Sequence, residues 1–298
     1  MNVGVIGLGT MGGQMVGALL DAGHEVIVHD VSTAAVERTV AVGAKPARSG
    51  VEVGAAAQVV LLSLPLPEDV VTVVGGEEGL LSRPANGLVV VDMSTVDPDT
   101  TRQLASRAAA VGVGYLDAPV LGRPDACGKW TLPIGGDSTI MERARPALEP
   151  VARTITHVGE SGAGNAIKLI NNLMFGAINS ITVEAFAIAA LVGVSPRQFY
   201  NTVVDSGAAT VSNLFRQLGP KILEEDFSPT FTVDLLQKDN RLAIAMVEDR
   251  QASVILGSAV TALNGLAQAS GYGSEDTSAA IKVYEKVLGV KVSDYEQE

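Results

Sequence analysis

Asn165, Lys168 and Asn172 stand at i, i+3 and i+7 in an otherwise apolar stretch from Gly162 to about Val192. On a helix they line one face. A lysine in that setting has two uses. It can lay its stem on apolar neighbours and hold its ammonium in water at a solvated edge. Or it can serve as a proton acceptor, because apolar surroundings favour its neutral form. Asn172, one turn on, adds hydrogen-bonding capacity without charge. The stretch alone leaves both uses open.

A second set opens the chain. Gly7-Leu8-Gly9-Thr10-Met11-Gly12 is a Gly-x-Gly-x-x-Gly directly after the apolar run Val3–Ile6. In a strand–turn–helix, Gly7 permits the tight turn, Gly9 lets a pyrophosphate approach the backbone, and Gly12 lets helix and strand pack closely. The helix N-terminus offers unpaired N–H groups to the phosphates. Asp30 ends the next β-type run, Glu25–Asp30, where a carboxylate can accept hydrogen bonds from the adenosine ribose. The bland reading is a glycine-rich turn without a ligand; the acid at the expected distance favours a dinucleotide. A carboxylate at Asp30 repels a 2′-phosphate, and Val31-Ser32-Thr33 offers no arginine to hold one. NAD is therefore preferred to NADP.

Two further groups fall beyond apolar strands. Leu64-Pro65 follows Val59–Leu64, and Ser94-Thr95 follows Leu88–Met93. Ligands of doubly wound sheets lie beyond the carboxyl ends of the strands, so both pairs are placed to line the cofactor; each also reads as an ordinary strand-to-helix turn. Arg123 sits in the glycine- and proline-rich loop Leu121–Trp130, next to Gly122. Its guanidinium suits a carboxylate or sulfonate, or a surface pairing with Asp125. His24, His29 and His157 sit in no motif and read as structural.

The elements that must carry these residues follow an alternation of strands and helices up to Thr154–Gly159, and only helices after Gly193. That predicts a Rossmann-type doubly wound α/β sheet over 1–162 and an all-α domain over 163–298, joined by a long interdomain helix at about 164–192. With 21 basic and 33 acidic residues the net charge is −12, and no basic patch suggests nucleic acid or an anionic membrane. The single Cys127 excludes an internal disulfide and a cysteine-rich zinc site; no metal site is expected. Glycines cut the N-terminal apolar run and no basic region precedes it, unlike a signal peptide. The long helix approaches membrane-spanning length, but Lys168, Asn171, Asn172, Asn179 and Glu184 suit lipid poorly. A cytoplasmic protein is expected.

The chain resembles the β-hydroxyacid dehydrogenase family over almost its whole length. Four ordered motifs carry the resemblance: Gly7–Gly12 continuing to Met15, Asp117-Ala118-Pro119-Val120, Gly162-x-Gly164-Asn165-x-x-Lys168-x-x-Asn171-Asn172, and Lys238-Asp239. The family includes 3-hydroxyisobutyrate dehydrogenase, tartronate semialdehyde reductase and sulfolactaldehyde reductase. The resemblance implies that Lys168 is the catalytic lysine and that Asn172 helps hold the substrate. It implies that Lys238 reaches the cofactor, that Thr95 contacts its nicotinamide end, and that the loop after Val120 binds the substrate's acid group. It also implies a homodimer or homotetramer. One departure stands out: Leu121-Gly122-Arg123 replaces the family's usual Ser-Gly-Gly, and the loop is about two residues short. A serine hydroxyl is lost and a cationic fork gained, which favours a strongly anionic small substrate. The activity implied is hydride transfer between NAD(P) and a short 3-hydroxy acid or its semialdehyde. The competing readings are a related imine- or phosphogluconate-type reductase and a non-enzymatic dinucleotide-binding sensor or scaffold.

Overall fold

The computed structural model describes residues 1–248 and 254–296. The chain divides into two compact units, Met1–Lys168 and Leu169–Glu298.

In the first unit the strands are β1 (Asn2–Ile6), β2 (Glu25–His29), β3 (Lys45–Pro46), β4 (Val59–Leu62), β5 (Val89–Asp92), β6 (Gly114–Asp117), β7 (Trp130–Gly135) and β8 (Ala152–Gly159). They form one sheet in the order β3-β2-β1-β4-β5-β6-β7-β8. Strands β1 to β6 pair in parallel, β7 turns antiparallel to β6, and β8 runs parallel to β7. The helices are α1 (Gly12–Asp21), α2 (Thr33–Val40), α3 (Gly50–Ala56), α4 (Pro67–Gly75), α5 (Pro98–Ala110) and α6 (Ser138–Leu148). The doubly wound reading is met.

The strand sequences are apolar throughout because both faces of the sheet are covered. Alternate residues of β4 and β5 serve different cores: Val59, Leu61, Val89 and Val91 enter one, Val60, Leu62 and Val90 the other. Each such side chain contributes roughly 2 kcal/mol on burial. Asp92 interrupts this pattern at the end of β5, fully buried in register with the equally buried Asp117 of β6.

Helix α7 (Ala163–Leu191) spans 29 residues, close to the expected helix, and the division between units falls inside it. It is long and apolar enough to cross a membrane by composition, yet Asn165, Asn172, Asn179 and Thr182 are buried along it. The second unit continues with α8 (Pro196–Ser206), α9 (Asn213–Leu223), α10 (Val233–Glu248), α11 (Ile255–Ala269) and α12 (Ile281–Leu288). Serines cap α8 and α9: Ser195 accepts from Gln198 N and Ser212 from Phe215 N. Phe186 and Phe215 are buried in its core, and the partly buried Phe199 and Tyr200 pack on both at ring separations of 5.5–6.3 Å. A 3-10 turn, Thr277–Ala280, capped by Asp276, leads into α12.

Candidate active site

The glycine-rich turn is built as a dinucleotide site requires. Gly7 has φ +87°. A Cβ on Gly12 would lie 1.7 Å from the Gly7 carbonyl oxygen, so helix and turn touch here only because Gly12 has no side chain. Above Gly9 a Cβ would meet nothing within 4 Å, which leaves room for a pyrophosphate against the backbone. No side chain caps the N-terminus of α1 at Met11, and Thr10 is exposed beside it. Asp30 accepts from Leu8 N at 2.6 Å and from Ser32 N at 2.7 Å. The acid therefore braces the turn itself, with one oxygen on each backbone N–H. These residues fit an NAD(P) dinucleotide, and a groove beside them is lined by Leu8, Gly9, Thr10, Gly13, Gln14 and Arg38 among others.

At the carboxyl edge of the sheet, Leu64 N donates to Ser94 Oγ at 3.0 Å, tying the turn after β4 to the turn after β5. Pro65 is exposed and Thr95 half-buried in these two turns. Ser94 N donates to Asp92 Oδ1 at 2.9 Å, and Tyr115 Oη donates to Asp92 Oδ2 at 2.9 Å. Burial, opposed by these hydrogen bonds, pushes Asp92 up to about 6. Burial and the adjacent Asp92 carboxylate both push the Tyr115 hydroxyl well above its ordinary value. Asp117 is also raised by burial, against backbone N–H groups that lower it.

Asp117 seats the start of α7. It accepts from Gly162 N at 2.8 Å and Asn165 N at 2.9 Å, two donors that a helix N-terminus leaves without intrahelical partners. A Cβ on Gly164 would come within 2.4 Å of the Pro133 carbonyl oxygen, so only glycine lets α7 start this close to the sheet. The Asn165 side chain is fully buried; its oxygen accepts from Val96 N at 3.2 Å and its amide donates to Thr101 Oγ1 at 3.1 Å. One turn later Lys168, half-buried, donates from Nζ to the Val120 carbonyl at 2.8 Å. The structure thus brings Lys168 to the exit of the Asp117–Val120 segment, where the loop Leu121–Trp130 begins.

That loop is pinned. Leu121 pairs with Thr131 through an isolated antiparallel bridge, and Pro124–Ala126 forms a 3-10 turn. Trp130, fully buried, donates from Nε1 to the Arg123 carbonyl at 2.7 Å. A Cβ on Gly122 would lie 2.5 Å from Trp130 Cδ1. Gly122 and Arg123 are exposed, and the Arg123 guanidinium lies 3.5 Å from Asp125.

In the second unit, Asn172 is 3% exposed. Its amide donates to Asp239 Oδ2 at 2.6 Å, and its oxygen accepts from Asn171 at 3.1 Å. Lys238 Nζ lies 3.1 Å from Asp239 Oδ1. Asp239 is the residue that sequence reasoning left without a role: its carboxylate ties Asn172 to Lys238. Its place beside Lys238 was the available signal. The three histidines each meet a backbone carbonyl, of Pro146, Ala47 and Gly136, as structural histidines do. Among the described residues no cluster suits a metal ion.

The comparisons with known proteins agree with this geometry. The family described as the NAD binding domain of 6-phosphogluconate dehydrogenase matches residues 2–159. The family described as NAD-binding of NADP-dependent 3-hydroxyisobutyrate dehydrogenase matches residues 162–284. The 2-(hydroxymethyl)glutarate dehydrogenase of Eubacterium barkeri is 34% identical, over 98% of both chains. The 3-hydroxyisobutyrate dehydrogenase of Pseudomonas aeruginosa is 36% identical, over 86% of this chain and 88% of its own. The chain belongs to the β-hydroxyacid dehydrogenase family. Among solved structures, a Salmonella typhimurium 3-hydroxyisobutyrate dehydrogenase superposes with a TM-score of 0.88 at 28% identity, over 95% of this chain and 99% of its own. Like its relatives, this family member is an NAD(P)-dependent oxidoreductase acting on a CH–OH group.

Proposed function

We propose that Lys168 is the general acid/base with which this oxidoreductase interconverts a short, strongly anionic 3-hydroxy acid and its semialdehyde or ketone. The observation that carries the reading is the placement of Lys168 Nζ 2.8 Å from the Val120 carbonyl, directly before Leu121-Gly122-Arg123. A bound nicotinamide supplies the hydride chemistry. The chain's own residues do the rest. Gly7–Gly12 and Asp30 hold the dinucleotide, Leu64, Pro65 and Thr95 line it, and Lys238 contributes a cation toward it. Asp30 favours NAD over NADP, since a 2′-phosphate beside that carboxylate is repelled.

Gly122 and Arg123 would bind the acid group through backbone N–H and guanidinium. Relatives named for hydroxymethylglutarate, hydroxyisobutyrate and sulfolactaldehyde all handle small anionic substrates. Lys168 would take the hydroxyl proton in oxidation and return it in reduction, with Asn172 one turn along the same helix to orient the substrate. On α7, Ile170, Met174, Ile181 and Ile188 are exposed along one stripe, a surface suited to a second copy in a homodimer or homotetramer. We place the enzyme in the cytoplasm.

Following absorbance at 340 nm with NAD, NADP and a panel of 3-hydroxy carboxylates and sulfonates tests the reading. Turnover with at least one anionic 3-hydroxy acid is expected. Tight NAD binding with no turnover across the panel would instead favour a dinucleotide sensor.

A further inference from the structure

The mechanism above makes no use of Asp92, although it is a fully buried acid at the cofactor edge of the sheet. Its surroundings are specific. Ser94 N donates to it at 2.9 Å, and Tyr115 Oη adds a second donor at 2.9 Å. The Ser94 oxygen in turn accepts from Leu64 N at 3.0 Å. The carboxylate holds the Ser94 backbone while the Ser94 hydroxyl oxygen holds Leu64 N. The three residues make a short relay, Asp92 to Ser94 to Leu64, that ends in the turn after β4.

We propose that Ser94, oriented by Asp92, is a positioning residue for the dinucleotide: it holds the Leu64 peptide, and with it the turn after β4, in the conformation that receives the cofactor. This rests on the reading that Leu64 and Pro65 line the cofactor; it does not depend on Lys168. Protonating Asp92 removes its charge and leaves it fewer lone pairs for Ser94 N and Tyr115 Oη, which weakens its hold on Ser94. The titratable groups facing Asp92 are Tyr115 and Asp117, both on β6. On its other flank the partner in register is Leu62 of β4. Asp97, the next acid along the chain, is turned to Thr100 N as the cap of α5. Burial raises Asp92 to about 6, so the relay loosens as pH falls through that value.

The experiment is calorimetric titration of the full-length protein with NAD from pH 5.5 to 7.5, for wild type, Ser94→Ala, Asp92→Asn and, as a control, Gly9→Val. For wild type, affinity is expected to fall several-fold as pH is lowered through about 6. Ser94→Ala is expected to bind about three- to tenfold more weakly at pH 7.5, the effect of one hydrogen bond, with its melting temperature nearly kept. Asp92→Asn is expected to lose the pH dependence. Gly9→Val fills the open space over the turn and is expected to abolish binding. Wild-type affinity in Ser94→Ala, or a pH dependence unchanged in Asp92→Asn, overturns the relay. If Gly9→Val also binds normally, the dinucleotide site itself is misplaced; if Gly9→Val fails to bind while Ser94→Ala does not differ from wild type, only the relay falls. If Asp92→Asn does not fold, Ser94→Ala decides alone.

Discussion

The ammonium of Lys168 donates to the carbonyl of Val120 across 2.8 Å, joining residues 48 positions apart in the chain. The bond fixes the lysine beside the loop that carries Gly122 and Arg123. It also accounts for a cation on an apolar helix: the ammonium is hydrogen-bonded, so its partial burial is not left uncompensated.

The loop after Val120 is set by Trp130. Because a Cβ on Gly122 would lie 2.5 Å from the indole, and the indole N–H is held by Arg123, Gly122→Ala must shift the loop. We expect KM for the acid substrate to rise about tenfold with kcat little changed, the signature of lost ground-state binding. Steady-state kinetics check this; an unchanged KM places the acid group elsewhere.

Asp30 accepts two backbone N–H groups and, in the function proposed above, faces the adenosine ribose. Asp30→Asn keeps an acceptor but removes the charge. Its ratio of NAD to NADP affinity is expected to fall about tenfold, mostly through tighter NADP binding. Parallel titrations with the two cofactors measure it.

Asp92 also makes a stability prediction. Its folded value of about 6 lies above the ordinary 3.8. Between these values the folded state keeps its proton while the unfolded chain loses it, so the contribution of this group to stability declines as pH rises from about 4 to about 6. The full penalty above pH 6 is on the order of 3 kcal/mol. Asp92→Asn lacks it, so the variant should gain on wild type in urea midpoint between pH 4.5 and pH 7.5. A constant difference across that range contradicts the assignment.

The carboxylate of Asp239 lies between Asn172 and Lys238 in the second unit. Asp239→Ala removes a buried partner from both. A loss of about 3 kcal/mol in unfolding free energy is expected, with Asp239→Asn losing less because it still bonds Asn172. Chemical denaturation measures both variants.

What the sequence made legible was local and periodic. Gly7–Gly12 with Asp30 specified a strand, a turn and a second strand from residues near in the chain. Strand β3 was not legible, being two residues with a proline at the sheet edge. Helices α3 and α4 are short, of 7 and 9 residues, and owe their order to packing on the sheet. Lys168 stood out because its type broke an apolar face. Asp92 did not, since an acid ending a strand looks like a turn residue until Tyr115 and Ser94 are seen around it. Asn165 was read only as sharing the Lys168 face; its partners Val96 and Thr101 lie more than 60 positions away, beyond any periodic signal.

The central claim is that Lys168 moves the proton, and single-turnover and steady-state rates of Lys168→Ala test it most directly. We expect kcat to fall at least about 100-fold while NAD affinity stays within about threefold of wild type. A variant that keeps more than about a tenth of wild-type turnover would show that another group is the acid/base.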